Sequence, residues 1–242
     1  MPAAVPLRRV FALVLAALVL GPTARGDDSA TKKDPLAETV ERMLAAIGGR
    51  TAWASLTNTI NDSQQNRLEE PTVVRAVITM DFTRPRFRIE TTAPGLRVVR
   101  VIDGPRNWRL TRQGTIEDVP AELVLEDQKW YAGHVYRTLH RIAARDAALR
   151  LAIGPKGRLE VYESDARIAW FALDARGVPY AYGPHADDTG SIFGPWDFIR
   201  DGIRHPAWVS SPDGSWRAAI KSLTINARLK DSTFARPATS KQ

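Results

Sequence analysis

Hydrophobic positions first recur with helical spacing, at Leu36, Val40, Met43, Leu44 and Ile47. These fall at i, i+4, i+7, i+8 and i+11, with Glu38, Glu41 and Arg42 off the stripe, and predict one amphipathic helix. Asp34 is a natural N-cap and Pro35 suits the first helical position, where its missing N–H loses nothing. Gly48 and Gly49 end the helix and let the chain reverse. Trp53 then leads into a series of strands.

Beyond Trp53 the period changes to two. Val74, Ala76, Ile78, Met80 and Phe82 alternate with Arg75, Thr79 and Asp81, while Val73 and Val77 break the polar face, so this strand is expected to be covered on both sides. Phe87 and Ile89 alternate with Arg86, Arg88 and Glu90, and the stretch 96–110 reads as two strands joined at Asp103, Gly104 and Pro105. A helical insert follows from Ala121 to Ala148, opened by Pro120 and divided at Gly133. Strands then resume, with a hairpin turn at Asp201–Gly202. In the last strand Trp216, Ala218 and Ile220 are out of phase with Leu223 and Ile225, which predicts a β-bulge near Lys221 and Ser222. The pattern implies an α+β fold: a strongly curved antiparallel sheet of about ten strands, open or half-closed, wrapped around the N-terminal helix and the helical insert that fill it.

The N-terminus changes the picture of where this domain works. Arg8 and Arg9 precede an apolar run from Val10 to Leu20, too short to span a bilayer, and Ala24-Arg25-Gly26 is a small-x-small cleavage site. This predicts a secretory signal peptide over 1–26, cleaved after Gly26, a leader over 27–33, one domain over 34–237 and a tail over 238–242. Removing 1–26 takes three arginines and no acid from a net charge of +7, leaving +4 on 216 residues. The remaining charges alternate in sign without a basic block, so no nucleic-acid partner is expected. There is no cysteine, hence no disulfide, thiolate metal site or lipidated Cys. An exported, soluble periplasmic protein with no membrane span after processing is the expectation.

Several residues carry a resemblance when taken in order: the helix ending at Gly48 and Gly49, Ala52 and Trp53, then Arg84, Pro85 and Arg88, then Asp103, Gly104 and Trp108, and at the end Gly202, Pro206, Asn226, Phe234 and Pro237. This series resembles the LolA/LolB-like outer-membrane lipoprotein-sorting superfamily over most of the mature chain. The resemblance implies a half-open barrel whose helices act as plug and lid around an apolar cavity. It implies lipid or lipoprotein acyl chains as cargo, with an envelope donor and acceptor as partners. Members of the LolB type are lipoproteins, for which this chain lacks the Cys. The carrier LolA holds its lid with an arginine on a barrel strand, and Arg75, Arg86, Arg88 and Arg97 are all open candidates for that role. The stretch from Gly183 to Gly194 and the long insert are particular to this chain.

The lipid-binding residues expected on this reading are Val74, Ile78, Met80, Phe82, Phe87 and Ile89 on strands and Leu123, Trp130, Tyr131 and Val135 on the lid. Leu36, Val40, Met43, Leu44 and Ile47 would form one wall of the cavity. Such a carrier needs no catalytic group, cofactor or metal, because each buried methylene already contributes ~0.8 kcal/mol. The competing reading is that these residues form a solid core and that the domain is an envelope interaction module, docking through an edge strand or the loop from Pro184 to Gly194. Enzymatic readings have less to stand on. His134, His140, His185 and His205 fall in no catalytic or metal-binding spacing, His185 with Asp187 and Asp188 being the nearest to a metal loop, and Asp197 and Asp201 near His205 lack a serine.

Overall fold

The computed structural model describes residues 34–184 and 189–238. The expected signal peptide, its cleavage point and the leader lie outside the described residues, as do His185, Asp187 and Asp188. Helix α1 spans Pro35–Ala46. Its N-cap is Asp34, whose carboxylate accepts a hydrogen bond from the Leu36 N–H at 3.0 Å. At the other end the Gly49 N–H donates to the Leu44 carbonyl at 2.7 Å. Gly48 there has φ +117°, and a Cβ on it would stand 2.2 Å from the Gly202 carbonyl oxygen. Both the backbone and the space demand glycine, so Gly48→Ala is expected to destabilise the domain by about 2 kcal/mol, read as a lowered urea midpoint. Trp53 belongs to a second short helix, α2 (Arg50–Ala54), rather than to the approach to a strand. Its ring is fully buried, with Nε1 donating to the Ile47 carbonyl at 3.0 Å.

The strands are β1 (Asn58–Arg67), β2 (Glu70–Asp81), β3 (Arg86–Ala93), β4 (Leu96–Asp103), β5 (Trp108–Leu110), β6 (Ile116–Asp118), β7 (Leu149–Ile153), β8 (Leu159–Glu163), β9 (Ala166–Leu173), β10 (Pro179–Pro184), β11 (Ser191–Phe193), β12 (Phe198–Arg200), β13 (Ile203–His205), β14 (Trp208–Ser210) and β15 (Trp216–Ile225). Thirteen form one antiparallel sheet in the order β6-β5-β4-β3-β2-β1-β15-β14-β11-β10-β9-β8-β7, and β12–β13 is a separate hairpin. The sheet is not closed: β6 and β7 are its edges. Thirteen strands rather than about ten is the main correction to the expected architecture. The difference includes β1, too polar to show an apolar alternation, and β7, which begins directly after the segment expected to be helical. Asp201 and Gly202 turn the β12–β13 hairpin with φ +46° and +90°, as a two-residue hairpin loop requires. The bulge in the last strand is also present: β1 pairs Asp62 with Ser222 and Ser63 with Ile220, leaving Lys221 as the extra residue. Trp216, Ala218, Ile220, Leu223 and Ile225 therefore share one face.

Two helices join the sheet's free edges. α3 (Ala121–Gly133) and α4 (Val135–Ala143) run between β6 and β7, separated by His134 in an extended conformation. Gly133 ends α3 where a Cβ would lie 2.3 Å from the Ile168 carbonyl oxygen, so the lid turns directly on β9. On one face of the sheet α1, α2 and α4 cover an apolar cluster that includes Leu159, Val161, Phe171, Ile203, Leu223 and Ile225. On the same face α3 covers Met80, Phe87 and Ile102. On the opposite face Val99, Val101 and Trp108 are covered by Phe234 from the C-terminal segment, which contains a 3-10 turn at Asp231–Thr233.

Candidate functional site: a cavity beneath the helical lid

A cavity of about 300 Å³ lies between the lid and the middle of the sheet. Its wall includes Ile78 of β2 and Tyr182 of β10, which stand five strand spacings apart, ~24 Å on a flat sheet. One small cavity can touch both only if the sheet curls, so the lid covers a concave face. The lid contributes Trp130, His134, Val135 and Tyr136. Across from them β15 and β14 present Trp216, Ala218, Ile220 and Val209. β1 adds a row of uncharged polar residues, Asn61, Ser63 and Gln65, at alternate positions, and Pro184, Ser191, Phe193 and Pro206 complete the wall. Among the described residues no Asp, Glu, Lys or Arg lines it.

Three polar atoms of this wall are buried without a protein hydrogen-bond partner: Asn61 Oδ1, His134 Nδ1 and the Tyr136 hydroxyl. Burial pushes His134 down to about 3, so the ring is neutral at neutral pH, and pushes the Tyr136 and Tyr182 hydroxyls above the ordinary tyrosine range. His134 is held between aromatic neighbours, 4.8 Å from the Trp130 ring edge-on and 5.6 Å from that of Tyr136. The series continues from Trp130 to Phe87 at 5.2 Å and from Tyr136 to Trp53 at 6.2 Å, tying lid, sheet and α2 together.

Polar contacts pin the lid at both ends. Arg100, on the inner face of β4, reaches the buried Asp127 of α3 at 2.7 Å. Burial raises the Asp127 carboxyl above its ordinary range although the Arg100 cation opposes this. The Tyr131 hydroxyl donates to the Asp81 carbonyl at 2.6 Å, and burial pushes that hydroxyl up to about 12. The Tyr182 hydroxyl donates to the Gly133 carbonyl. The four arginines open as lid-holding candidates are engaged elsewhere: Arg75 with Asp62, Arg86 with Asp81 and Asp231, and Arg88 and Arg97 both with Glu90. The strand arginine bound to the lid is Arg100, which lies on the same face as Phe87 and Ile89.

Of the residues expected to bind lipid, Ile78, Trp130 and Val135 line the cavity. Met80, Phe87 and Tyr131 are buried in the seam between α3 and the sheet, with Phe82, Ile89 and Leu123 packed at its margin. Val74 is half-buried on the same sheet face, opposite Gln65. The stripe of α1 is not among the lining residues. Val40, Met43, Leu44 and Ile47 are packed shut against α4 and the sheet, with Leu36 at the edge of that cluster. The wall assigned to α1 is supplied by β1. Sequence periodicity passes over β1 because Ile60 is its one aliphatic residue; the available signal is length, since about twenty residues without structure between Trp53 and Val74 are rare in a compact domain.

Other hollows carry charged side chains: one of about 410 Å³ is lined by Arg100, Arg109 and Arg112 together with Ile89 and Leu123. The one of about 570 Å³ beside the C-terminal segment holds Arg86, Arg106 and Arg236 with Asp103, Asp118 and Asp231. Among the described residues no cluster of three His, Asp or Glu side chains is placed to hold a metal ion. No described helix is long and apolar enough to cross a membrane.

No protein-family model matches the chain, and no curated protein matches it in sequence. Among solved structures it is similar to a DUF1329 family protein from Desulfovibrio piger, with 9% identity and a TM-score of 0.39 over 84% of this chain and 98% of that one. It is also similar to an uncharacterized conserved protein from Thermus thermophilus, with 11% identity and a TM-score of 0.38 over 85% and 96%. MucB matches with 14% identity and a TM-score of 0.30 over 84% of this chain and 63% of its own. Similarity at this level assigns neither a family nor an activity.

Proposed function

We propose that the protein is an exported, periplasmic, non-enzymatic binding protein or carrier with a LolA-like fold, which takes a lipid or acyl chain beneath its helical lid and passes it between envelope partners. The observation that carries this reading is the cavity of about 300 Å³ roofed by the insert and lined, among the described residues, without a charged side chain. At ~30 Å³ for each water-sized group it accommodates about ten non-hydrogen atoms, one short chain or the end of a longer one. Burying that many methylenes at ~0.8 kcal/mol each offsets the cost of association and leaves useful affinity. The three chains of a mature lipoprotein exceed this volume unless the lid opens.

The test is uptake by delipidated protein. A fluorescent long-chain probe with an uncharged head, such as a fatty amide, is expected to bind, and native mass spectrometry of protein taken from the envelope is expected to show an extractable lipid. In Ala218→Trp, an indole placed in the cavity is expected to weaken uptake at least about tenfold, one chain segment being displaced. Protein that neither binds the probe nor carries lipid overturns the reading. A second reading, a filled interaction module, is favoured by the α1 half of the concave face, where Met43, Leu44, Ile47 and Trp53 are fully buried. Folded protein that takes up no probe would favour it, and uptake unaffected by Ala218→Trp would place the ligand outside this cavity.

A further inference from the structure

Resting on the binding function proposed above, the geometry points to the chemical class of the occupant: we infer an apolar chain carrying an uncharged hydrogen-bonding group, such as an amide, ester or hydroxyl, and not a free carboxylate or phosphate. A purely hydrocarbon ligand leaves Asn61 Oδ1, His134 Nδ1 and the Tyr136 hydroxyl as they stand, buried and without a protein partner. Unpaired buried polar groups are unfavourable, and groups of this kind usually have an occupant's atoms to meet. The Asn61 carbonyl oxygen accepts from an N–H or O–H. The Tyr136 hydroxyl donates to a carbonyl. Ser63 and Gln65 continue the row on the same strand face.

The same wall rejects charge. An anionic head needs a cation or a dense set of donors to replace its water. Among the described residues no lysine or arginine lines the cavity, and Arg100, the cation of the lid seam, is paired with Asp127. His134 is neutral, so it supplies no counter-charge. The polar group of the occupant therefore lies against β1 and Tyr136, and its chain against Ile78, Val135 and Ile220.

The experiment is a calorimetric comparison of decanamide, 1-decanol and decanoate, three ten-carbon ligands differing at the head, on delipidated protein at pH 7.5. Decanamide is expected to bind at least about tenfold tighter than decanoate, the ratio of one well-made buried hydrogen bond. Decanol binding close to the amide supports an uncharged head of either kind. Asn61→Leu and Tyr136→Phe keep side-chain size, and each is expected to weaken decanamide several-fold while leaving decanoate within about twofold. Decanoate binding as tightly as decanamide overturns the inference and leaves the binding function standing. No binding of any of the three, by folded protein, overturns the function and the inference together.

Discussion

Protein carrying Arg86→Met is expected to lose about 3–5 kcal/mol of stability, the range for removing one partner of a buried ion pair. Arg86 opens β3 on the face away from the lid and is only 2% exposed. Its guanidinium lies 2.9 Å from Asp81, 3.0 Å from Asp231 and 4.1 Å from the centre of the Phe234 ring. Burial pushes the Asp81 carboxyl up, but hydrogen bonds from Thr83, Arg86 and two backbone N–H groups outweigh it and hold the carboxyl below its ordinary range. Without Arg86, Asp81 remains a buried charge with only the turn to stabilise it. Phe234 loses the cation on its face, and the C-terminal segment keeps the Trp108 Nε1–Phe234 carbonyl bond of 2.8 Å and the exposed Arg84–Asp231 and Arg236–Asp118 pairs. Urea denaturation reads the loss, and limited proteolysis near Lys230 reads the release of the segment. Asp231→Asn is the control: Asp231 is exposed, so its replacement is expected to cost about 1 kcal/mol or less. An equal loss in the two variants would place the energy in the surface network and not in the buried pair.

The residues that position the site were legible in unequal measure, for reasons that lie in their chemistry. Periodicity finds elements that bury apolar side chains, so it located α1, β2, β3 and the lid, and the phase slip between Ile220 and Leu223 marked the bulge at Lys221. The poor helix propensity of glycine marked Gly133 as the division of the insert, where a side chain would strike the Ile168 carbonyl. Periodicity passes over a strand whose inner face is polar because it borders a cavity. Thr59, Asn61, Ser63 and Gln65 face inward from β1 opposite Met80, Ile78, Ala76 and Val74, so its register is set by its neighbours' apolar residues. The lid contact was hidden for a related reason. Arg100 reads as an ordinary solvent-facing position of an alternating strand until Asp127 is known to lie above it. The α1 stripe shows the limit from the other side: amphipathicity says that a face is covered, not whether a space remains beneath it.

Acidification from pH 7 to pH 5 is expected to loosen the lid before it unfolds the sheet. His134 has an ordinary value of 6.5 and is pushed down to about 3 by burial in the folded protein. A base with a depressed folded value gives stability that is complete above 6.5 and is lost as the pH falls towards 3, because only the open or unfolded chain accepts the proton. At 1.36 kcal/mol per pH unit the loss reaches about 2 kcal/mol by pH 5. Burial also lowers His140, whose Nδ1 lies 3.1 Å from the Trp53 carbonyl beside Arg137, Arg141 and Asp146, and it lowers His205, so both act in the same direction. Asp127 has the opposite sign: its raised value means that protonation in the folded protein lessens a burial cost, near the carboxylate range. Paired carboxylates such as Asp81 and Asp231 are held low, and their stabilisation fails only below about pH 4. The histidine window is therefore separate from general acid denaturation. His134→Phe keeps a ring between Trp130 and Tyr136 and removes the titrating group, so the slope of stability against pH between 6.5 and 5 is expected to fall by up to one proton. Hydrogen exchange of amides in 121–143 at pH 7 and pH 5 locates the effect. Faster exchange at pH 5 in the wild type and not in His134→Phe assigns it to this ring, and equal acceleration in both assigns it to His140 or His205.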